Sequence, residues 1–327
     1  QKEVSMKVLL LRNIANISSA ISKEEKINIR ARLFELIDEP NQQLAIQNAQ
    51  GSSRICRFDF PQEWPTLFDE LESLLQQALR EDNHVKVNNL LIILNQVIKT
   101  LSMAKIGRTR PALQSKIPII TPILIKIYTK FYNEGVQGMD LTIMQVGYMS
   151  LKVLRRIVVD VYDSAYQSTE VSEFLSLSVE HFQLLVQKYT QSDILDKYIK
   201  CYSKIYHSLA KANPTNLILL PCSKQILYSL LNIIQNKAQT VYESEDSEDS
   251  DNIWEFLVIK SLLIFKYLIN FLFKKGAVLT LKSKSNKSEI ESAINILTHD
   301  FFNEQLIKNL TDLLISYYIK LRPKDLE

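Results

Sequence analysis

Residues 83–103 have the sequence NHVKVNNLLIILNQVIKTLSM, in which apolar side chains recur every three or four positions. This spacing places them on one face of an α-helix, whereas a strand would alternate apolar and polar residues. The same spacing extends along nearly the whole chain. We therefore predict helices at residues 4–17, 23–38, 41–58, 62–79, 83–103, 113–133, 141–162, 170–190, 194–212, 223–242, 253–274 and 288–321.

The composition also favours an all-α fold. Only six of the 327 residues are glycine, whereas about 7% is usual in proteins. Tight turns and phosphate-binding loops depend on glycine, so its scarcity argues against sheets, Rossmann folds and P-loops. With 46% hydrophobic residues and a net charge of +3, the chain can bury a core and is not a disordered or polybasic protein.

Short joints between the predicted helices make consecutive helices antiparallel neighbours. Pairs recur every forty-odd residues, which is the period of HEAT and armadillo arrays. The expected fold is a HEAT-repeat superhelical solenoid of antiparallel helix pairs, with residues 1–327 forming one array of about six or seven pairs. Pro118 and Pro122 predict the bent first helix of a pair, and LRRI at 154–157 resembles the basic turn of a second helix.

Two segments interrupt the helical pattern. Residues 243–251 are all Glu, Asp or Ser, and residues 276–287 are rich in Lys and Ser. Six carboxylates in nine positions repel one another and cannot be buried, which predicts an exposed acidic loop. We predict a second, Lys/Ser-rich loop at 276–287.

The sequence contains no recognisable catalytic or metal-binding motif. Glycine-rich nucleotide-binding loops and the Gly-x-Ser-x-Gly elbow are missing, and the four histidines are isolated from one another. Cys56, Cys201 and Cys222 are too far apart in sequence for a Cys-x-x-Cys metal site, and a reducing compartment fits them. We therefore predict no enzyme activity, no catalytic residues, no metal and no cofactor.

The most apolar stretch, residues 253–273, carries Glu255, Lys260 and Lys266. A membrane-spanning helix needs about 20 residues that are nearly free of charge, so we predict a buried helix and no membrane partner. The chain opens on Gln1 without a signal-peptide pattern, and we expect it to be a fragment of a longer protein.

Tyr198, Tyr202 and Tyr206 recur every four residues and share one helix face. Such a face either packs between helices or forms a stacking surface for bases or aromatic peptides, and we favour packing. Nucleic-acid binding would also need a basic stripe, whereas the positive residues are spread and the strongest charge run is acidic. No direct nucleic-acid partner is expected.

The most specific motif lies at residues 54–68, RICRFDFPQEWPTLF. Here Pro61 stops one helix, and Trp64 with Pro65 opens the next, so that the indole fills the gap between the two. The direct role of this turn is therefore packing. Its defining residues are Asp59, Phe60, Pro61, Trp64 and Pro65.

This turn resembles the Asp-aromatic-Pro-x-x-Trp-Pro turn near the N-terminus of importin-β (karyopherin-β) nuclear transport receptors. The flanking sequences at 23–33 and 45–49 are similar to the preceding repeats of that family, and residues 321–327 resemble a segment of the importin-eleven subfamily. The resemblance identifies the chain as part of the N-terminal half of such a receptor. Residues 50–53, QGSS, depart from the small apolar helical run that is usual in the family.

The resemblance implies a non-enzymatic receptor that shuttles between cytoplasm and nucleus through the nuclear pore. The implied partners are protein cargo, the GTP form of the GTPase Ran and Phe-Gly nucleoporins, and we expect import rather than export. The first repeat of the family, which supplies much of the Ran contact, is missing, so no residue is assigned to Ran. A HEAT-repeat scaffold or adaptor without Ran dependence is the alternative, and a nucleic-acid-binding solenoid is a third class.

The resemblance also bears on the acidic loop, because importin-β-type receptors often carry an acidic loop that contacts Ran or a basic cargo signal. The match is by composition and includes Glu243, Glu245, Asp246, Glu248, Asp249 and Asp251. A solvated linker without a binding role is the alternative for this loop.

Overall fold

A computed structural model describes residues 22–103, 108–243, 253–274 and 285–319. The chain divides into two compact units, Gln1–Tyr162 and Asp163–Glu327. Within the described ranges every regular element is a helix and none is a strand, which confirms the all-α prediction. The predicted helix at 4–17 lies outside the described residues.

The first unit consists of antiparallel helices in two rows. Its helices are α1 (Lys23–Glu35), α2 (Gln42–Asp59), α3 (Leu67–Arg80), α4 (His84–Ser102), α5 (Thr109–Gly138) and α6 (Leu141–Arg156), the last continued by a π-helical turn (Ile157–Val161). Helices α2, α4 and α6 pack side by side in one row, and α3 and α5 pack together in the other. Each helix of one row also packs against a partner in the other, as the paired-repeat prediction requires.

The second unit repeats this arrangement. Its helices are α7 (Thr169–Gln187), α8 (Asp193–Ala212), α9 (Pro214–Ile218), α10 (Ser223–Glu243), α11 (Ile253–Phe273), α12 (Lys287–Asn295) and α13 (Glu304–Ile319), with a 3-10 turn at Ala165–Gln167 and a π-helical turn at Ile296–Phe301. Helix α8 packs beside α11, while α7 and α10 contact each other and pair with α8 and α11, respectively.

Small and polar residues bring α2 close to its neighbours. Residues 50–53 lie within α2, and Gly51, Ser52 and Ser53 are buried there. The Ser52 hydroxyl donates to the Asn48 carbonyl oxygen at 2.9 Å, so its polarity is satisfied within its own helix. The Asn48 side chain donates to the Leu33 carbonyl oxygen at 3.0 Å and ties α1 to α2. The departure at 50–53 therefore does not interrupt the helix.

Several predicted helix boundaries are wrong. The helix predicted at 113–133 extends over Thr109–Gly138 and passes through Pro118 and Pro122. Both prolines lie on the exposed side, and the apolar residues of the opposite face are buried on either side of them. The burial of that face outweighs the about 3 kcal/mol that a proline within a helix costs.

The C-terminal region is more interrupted than the periodicity indicates. The helix predicted at 288–321 breaks at Phe302, and the Asn303 side chain accepts a hydrogen bond from the Leu306 backbone N–H to begin the next helix. Lys287, predicted to end the loop at 276–287, is the first residue of α12, because Asn286 and Glu289 form a capping box there. Residues 276–284 of that loop lie outside the described part of the chain.

Candidate functional site

The acidic residues predicted to bind partners follow α10. Glu243 is the last residue of that helix and so does not belong to the loop, and α11 begins at Ile253. Because α10 and α11 pack together, the intervening segment joins two neighbouring helices. Glu245, Asp246, Glu248, Asp249 and Asp251 lie outside the described residues, so their role stays a prediction.

The turn between α2 and α3 is built around two buried side chains. Phe60 is buried against Phe68, with 5.4 Å between the ring centroids, and Trp64 is 3% exposed. Trp64 lies against Phe34 of α1 at 5.8 Å, and its Nε1–H donates to the Glu70 carboxylate at 3.1 Å. The motif therefore packs α1, α2 and α3 together, which agrees with the packing role predicted for it. Helix α3 begins at Leu67 and not at residue 62, because Pro65 lies in the turn that precedes it.

Arg30 binds three residues of this turn, a role that sequence reasoning missed. Its guanidinium donates to Asp59 Oδ2 from Nη2 at 2.6 Å and from Nε at 3.1 Å, and to the Glu63 carbonyl oxygen at 2.7 Å. The guanidinium carbon also lies 5.2 Å from the Trp64 ring centroid. Asp59 is 4% exposed, so the ion pair is largely removed from water. Arg30 lies 29 residues before Asp59 in the sequence, so no motif spacing connects the two residues.

The described residues do not form a metal-binding cluster. No group of three or more His, Cys, Asp or Glu side chains among them could hold a metal ion. All three cysteines are free and buried, and burial raises the pKa of the Cys56 and Cys222 thiols, which disfavours the reactive thiolate. Burial lowers the pKa of His181 to about 4, so this histidine is neutral at physiological pH.

The three tyrosines at four-residue spacing are completely buried in α8, which confirms packing and rules out an exposed stacking surface. The ring of Phe182 in α7 lies 6.2 Å from that of Tyr202 and 5.8 Å from that of Tyr206. The hydroxyls of Tyr206 and Ser178 form a buried hydrogen bond at 3.1 Å. These contacts fasten α8 to α7.

The structure gathers positive charge on the other side of α8. The ammonium nitrogens of Lys200, Lys204 and Lys260 lie 5.9, 5.8 and 5.8 Å from the ring centroid of Phe256. We call these three lysines the lysine cluster. Two of them come from α8 and one comes from α11 together with Phe256, so the cluster spans two adjacent helices.

The lysine cluster continues along α8. Burial lowers the pKa of His207, and the positive charges of Lys260 and Lys211 lower it further. The His207 ring contacts that of Tyr267 on α11, with centroids 5.7 Å apart. The sequence signal for this surface is the recurrence of Lys at 197, 200, 204 and 211, while the contributions from α11 could not be found without the fold.

Helix α11 was predicted to be buried, but only one of its faces is. It is the one helix in the described ranges that is long and apolar enough to cross a membrane, judged by length and composition alone. One face packs on α8 and α10, whereas Ile259, Ile269 and Phe273 are 48%, 51% and 87% exposed. Its high hydropathy therefore combines a buried face with apolar residues on the accessible face.

Comparisons with known proteins identify the relatives of the chain. It is 47% identical over 317 residues to importin beta-like protein KAP120 of Saccharomyces cerevisiae, an alignment that covers 94% of this chain and 30% of that protein. The chain is homologous to the importin β-like proteins. It is also 22% identical to human importin-11 over 94% of its length and 31% of that protein. No family model matches the chain.

A solved structure supports the same relationship. The chain is similar to Lph2 of Saccharomyces cerevisiae, described as a bidirectional nuclear transport receptor, with a TM-score of 0.86 and 45% identity. The similarity covers 93% of this chain and 30% of Lph2. It confirms the predicted importin-β resemblance and the HEAT-repeat class of fold. The chain spans about 30% of the length of KAP120 and Lph2.

Proposed function

We propose that the chain is part of a nuclear transport receptor that binds protein cargo and Ran-GTP and carries the cargo through nuclear pores. The observation that carries this proposal is the 47% identity to KAP120 over 94% of the chain, combined with the TM-score of 0.86 to a nuclear transport receptor. The receptor shuttles between cytoplasm and nucleus. Import is its main direction in this proposal, although the description of Lph2 as bidirectional makes export the first alternative to measure.

A paired-helix array suits this function because neighbouring units contact only each other. Small rotations at successive junctions add up, so cargo and Ran-GTP can compete by favouring different arrangements of the same helices. Rotation at the junction of α1, α2 and α3 would have to break the buried Arg30–Asp59 pair and the packing of Trp64.

The transport proposal is tested in cells with the full-length receptor fused to a fluorescent protein. We expect it in both compartments and enriched at the nuclear envelope, and we expect its bound cargo to be released by Ran-GTP but not by Ran-GDP. A receptor whose cargo binding ignores both forms of Ran would instead be a HEAT-repeat adaptor.

Within this proposal, the acidic segment at 243–251 attracts Ran-GTP or a basic cargo signal. Six carboxylates create a local negative field, and screening limits its reach to about 8 to 10 Å at ordinary ionic strength. The test replaces the six acids with Ser and Asn in the full-length receptor and measures both affinities across a salt series. A matched control replaces six scattered exposed acids: Glu24, Glu35, Glu134, Glu180, Glu304 and Asp312.

We expect weaker binding and a shallower salt dependence in the loop variant and no change in the control. Unchanged affinities and salt slopes in the loop variant would make the segment a linker. An equal loss in both variants would show that overall charge, and not this segment, governs binding.

Phe-Gly nucleoporins are proposed as partners of the groove between α7 and α10. This groove has a volume of about 200 Å³, and its apolar lining includes Phe182, Val186 and Ile233. A phenyl ring entering it would bury apolar surface, whereas each contact alone stays weak enough for rapid release. Val186→Asp should weaken binding to a Phe-Gly repeat peptide. Leu184→Asp is the control, because Leu184 is 46% exposed and does not line the groove.

A further inference from the structure

We propose that a groove between α3 and α5 binds an extended peptide segment of a partner protein, in which apolar residues stand next to Asp or Glu. The groove has a volume of about 610 Å³, within the range of ligand-binding pockets. We call it the α3–α5 groove. The inference does not depend on Ran or on transport, because it rests on the shape and charge of this groove. Its lining includes Gln76, Leu79 and Arg80 of α3, and Pro122, Ile123 and Lys126 of α5.

Two ion pairs fix how α3 and α5 lie beside each other. Lys116 Nζ lies 2.8 Å from Asp69 Oδ2, and Lys130 Nζ lies 3.2 Å from Asp82 Oδ1, just after the end of α3. The paired residues are 47 and 48 positions apart in sequence, so α5 runs parallel to α3. At 1.5 Å per residue, the eight residues that separate the ends of the α3 lining span about 12 Å. The groove therefore fits about four residues of extended peptide.

Positive charge is concentrated at one end of the α3–α5 groove. The parallel register places Arg80 and Lys126 at nearly the same level, and both residues are exposed. Neither side chain forms an ion pair or a hydrogen bond with another described residue, and the carboxylate of the neighbouring Glu81 is bound by Lys86 at 3.0 Å. An Arg guanidinium can bind a carboxylate in a bidentate manner, and the lysine adds a second charge. This end of the groove therefore suits acidic side chains.

Apolar groups lie beside these two cations. Ile123 is 8% exposed, Leu79 is half-buried and Pro122 is exposed, and all three line the groove. They offer apolar surface that a leucine or similar side chain of the peptide would remove from water. Because Leu79 directly precedes Arg80 in α3, the apolar and acidic side chains of the peptide should be close together in its sequence.

The other end of the α3–α5 groove carries negative charge, which favours a peptide over a nucleic acid. Glu72 lines this end, and its carboxylate accepts a hydrogen bond from Gln76 Nε2 at 3.0 Å. A peptide can place its acidic residues at the Arg80 end alone. A nucleic-acid backbone carries a phosphate on every nucleotide, so one of its charges would meet Glu72. The charge difference along the groove also sets the direction in which the peptide binds.

The proposal is tested by fluorescence anisotropy on the full-length receptor. The probe is a labelled six-residue peptide with two central leucines followed by Asp and Glu. One control peptide has Asn and Gln in place of the two acids, and a second has Ser in place of the two leucines. The test variant is Arg80→Gln/Lys126→Gln. The matched control is Arg57→Gln/Lys99→Gln, which removes one exposed Arg and one exposed Lys from other helices of the same unit.

We expect the probe to bind, and each control peptide to bind more weakly by about fivefold or more. The test variant should raise the Kd of the probe by a similar factor and make its salt dependence shallower, whereas the control variant should stay within about twofold of the parent. Gln76→Trp should also weaken binding, because its ring would fill the groove while both cations remain. Arg80 and Lys126 are exposed, so a variant that melts at the parent temperature but loses binding reports on the groove itself.

Equal binding by the test variant and the parent, or equal losses in the test and control variants, would overturn the proposal. Equal binding of the probe and the Asn/Gln peptide would also overturn it, since the groove would then recognise apolar groups alone. Unchanged binding in Gln76→Trp would place the peptide outside the groove. A single-stranded oligonucleotide that binds more tightly than the probe, and is lost in the test variant, would assign the groove to nucleic acid instead.

Discussion

Replacing Trp64 with alanine should loosen the junction of α1, α2 and α3. The side chain is 3% exposed, lies against Phe34 at 5.8 Å and lies beneath the Arg30 guanidinium at 5.2 Å. Deleting a buried large aromatic side chain usually costs about 3 to 5 kcal/mol, because apolar burial is lost and a cavity remains. The cation–π contact contributes about 0.5 to 2 kcal/mol of that total.

A second substitution separates the ring from its hydrogen bond. Trp64→Phe keeps most of the apolar volume but removes the Nε1–H that donates to Glu70 at 3.1 Å. Hydrogen bonds to charged groups contribute about 1.5 to 3 kcal/mol, and Glu70 keeps a second partner in the Thr66 hydroxyl at 2.5 Å. We therefore expect Trp64→Phe to cost about 1 to 2 kcal/mol, clearly less than Trp64→Ala.

The assay must report on this junction, because repeat arrays do not unfold as one unit. Hydrogen exchange of the α1–α3 amides, measured by mass spectrometry, gives the local free energy of opening for each variant. Phe58→Ala is the matched control, since Phe58 lies at the C-terminal end of α2, directly before the same turn, but is 55% exposed. Protection within about 0.5 kcal/mol of the parent in Trp64→Ala would refute the packing role, as would an equal loss in the control.

Three further outcomes follow from the described residues. Gly135→Ala should lower the thermal midpoint, because a Cβ atom there would lie 2.7 Å from Met144 Cγ and 2.9 Å from its backbone nitrogen; Gly138→Ala, with open space around it, is the control. Burial lowers the pKa of His181 to about 4, whereas an unfolded histidine titrates near 6.5. Between these two pH values the unfolded chain binds a proton that the native chain does not, so stability should fall as the pH drops from 6.5 to 4. This loss reaches at most about 3 kcal/mol, and urea titrations of His181→Leu should show a flatter pH profile. The three buried thiols should react with Ellman's reagent only after unfolding, and rapid labelling of the native protein would contradict their burial.

The helices could be predicted from sequence because each buries one continuous face. The spacing that places Leu90, Leu94 and Leu101 together needs no knowledge of the partner helix, and these residues are all fully buried. Boundaries were harder to predict where local capping decides them. The predicted helix at 288–321 is divided at Phe302, and a single hydrogen bond to the Asn303 side chain begins the next helix; periodicity contains no information about such a bond.

The Trp64 turn and the lysine cluster differ in how much of each could be predicted from the sequence. Trp64 could be assigned a packing role because Pro61 and Pro65, which mark the turn that carries it, lie beside it in the sequence, whereas its contacts Phe34 and Arg30 were not predicted. Phe256 and Lys204 are 52 residues apart, and only the packing of α11 beside α8 brings them together. The overall charge of +3 conceals this local concentration of lysines, since acidic residues elsewhere cancel it in the sum.

One titration decides whether the chain comes from a Ran-dependent receptor. The full-length receptor is titrated with Ran loaded with a non-hydrolysable GTP analogue or with GDP, and the two dissociation constants are compared. The transport proposal predicts that the GTP form binds at least tenfold more tightly and displaces cargo as it binds. Equal affinity for the two forms, or binding of neither, would contradict it.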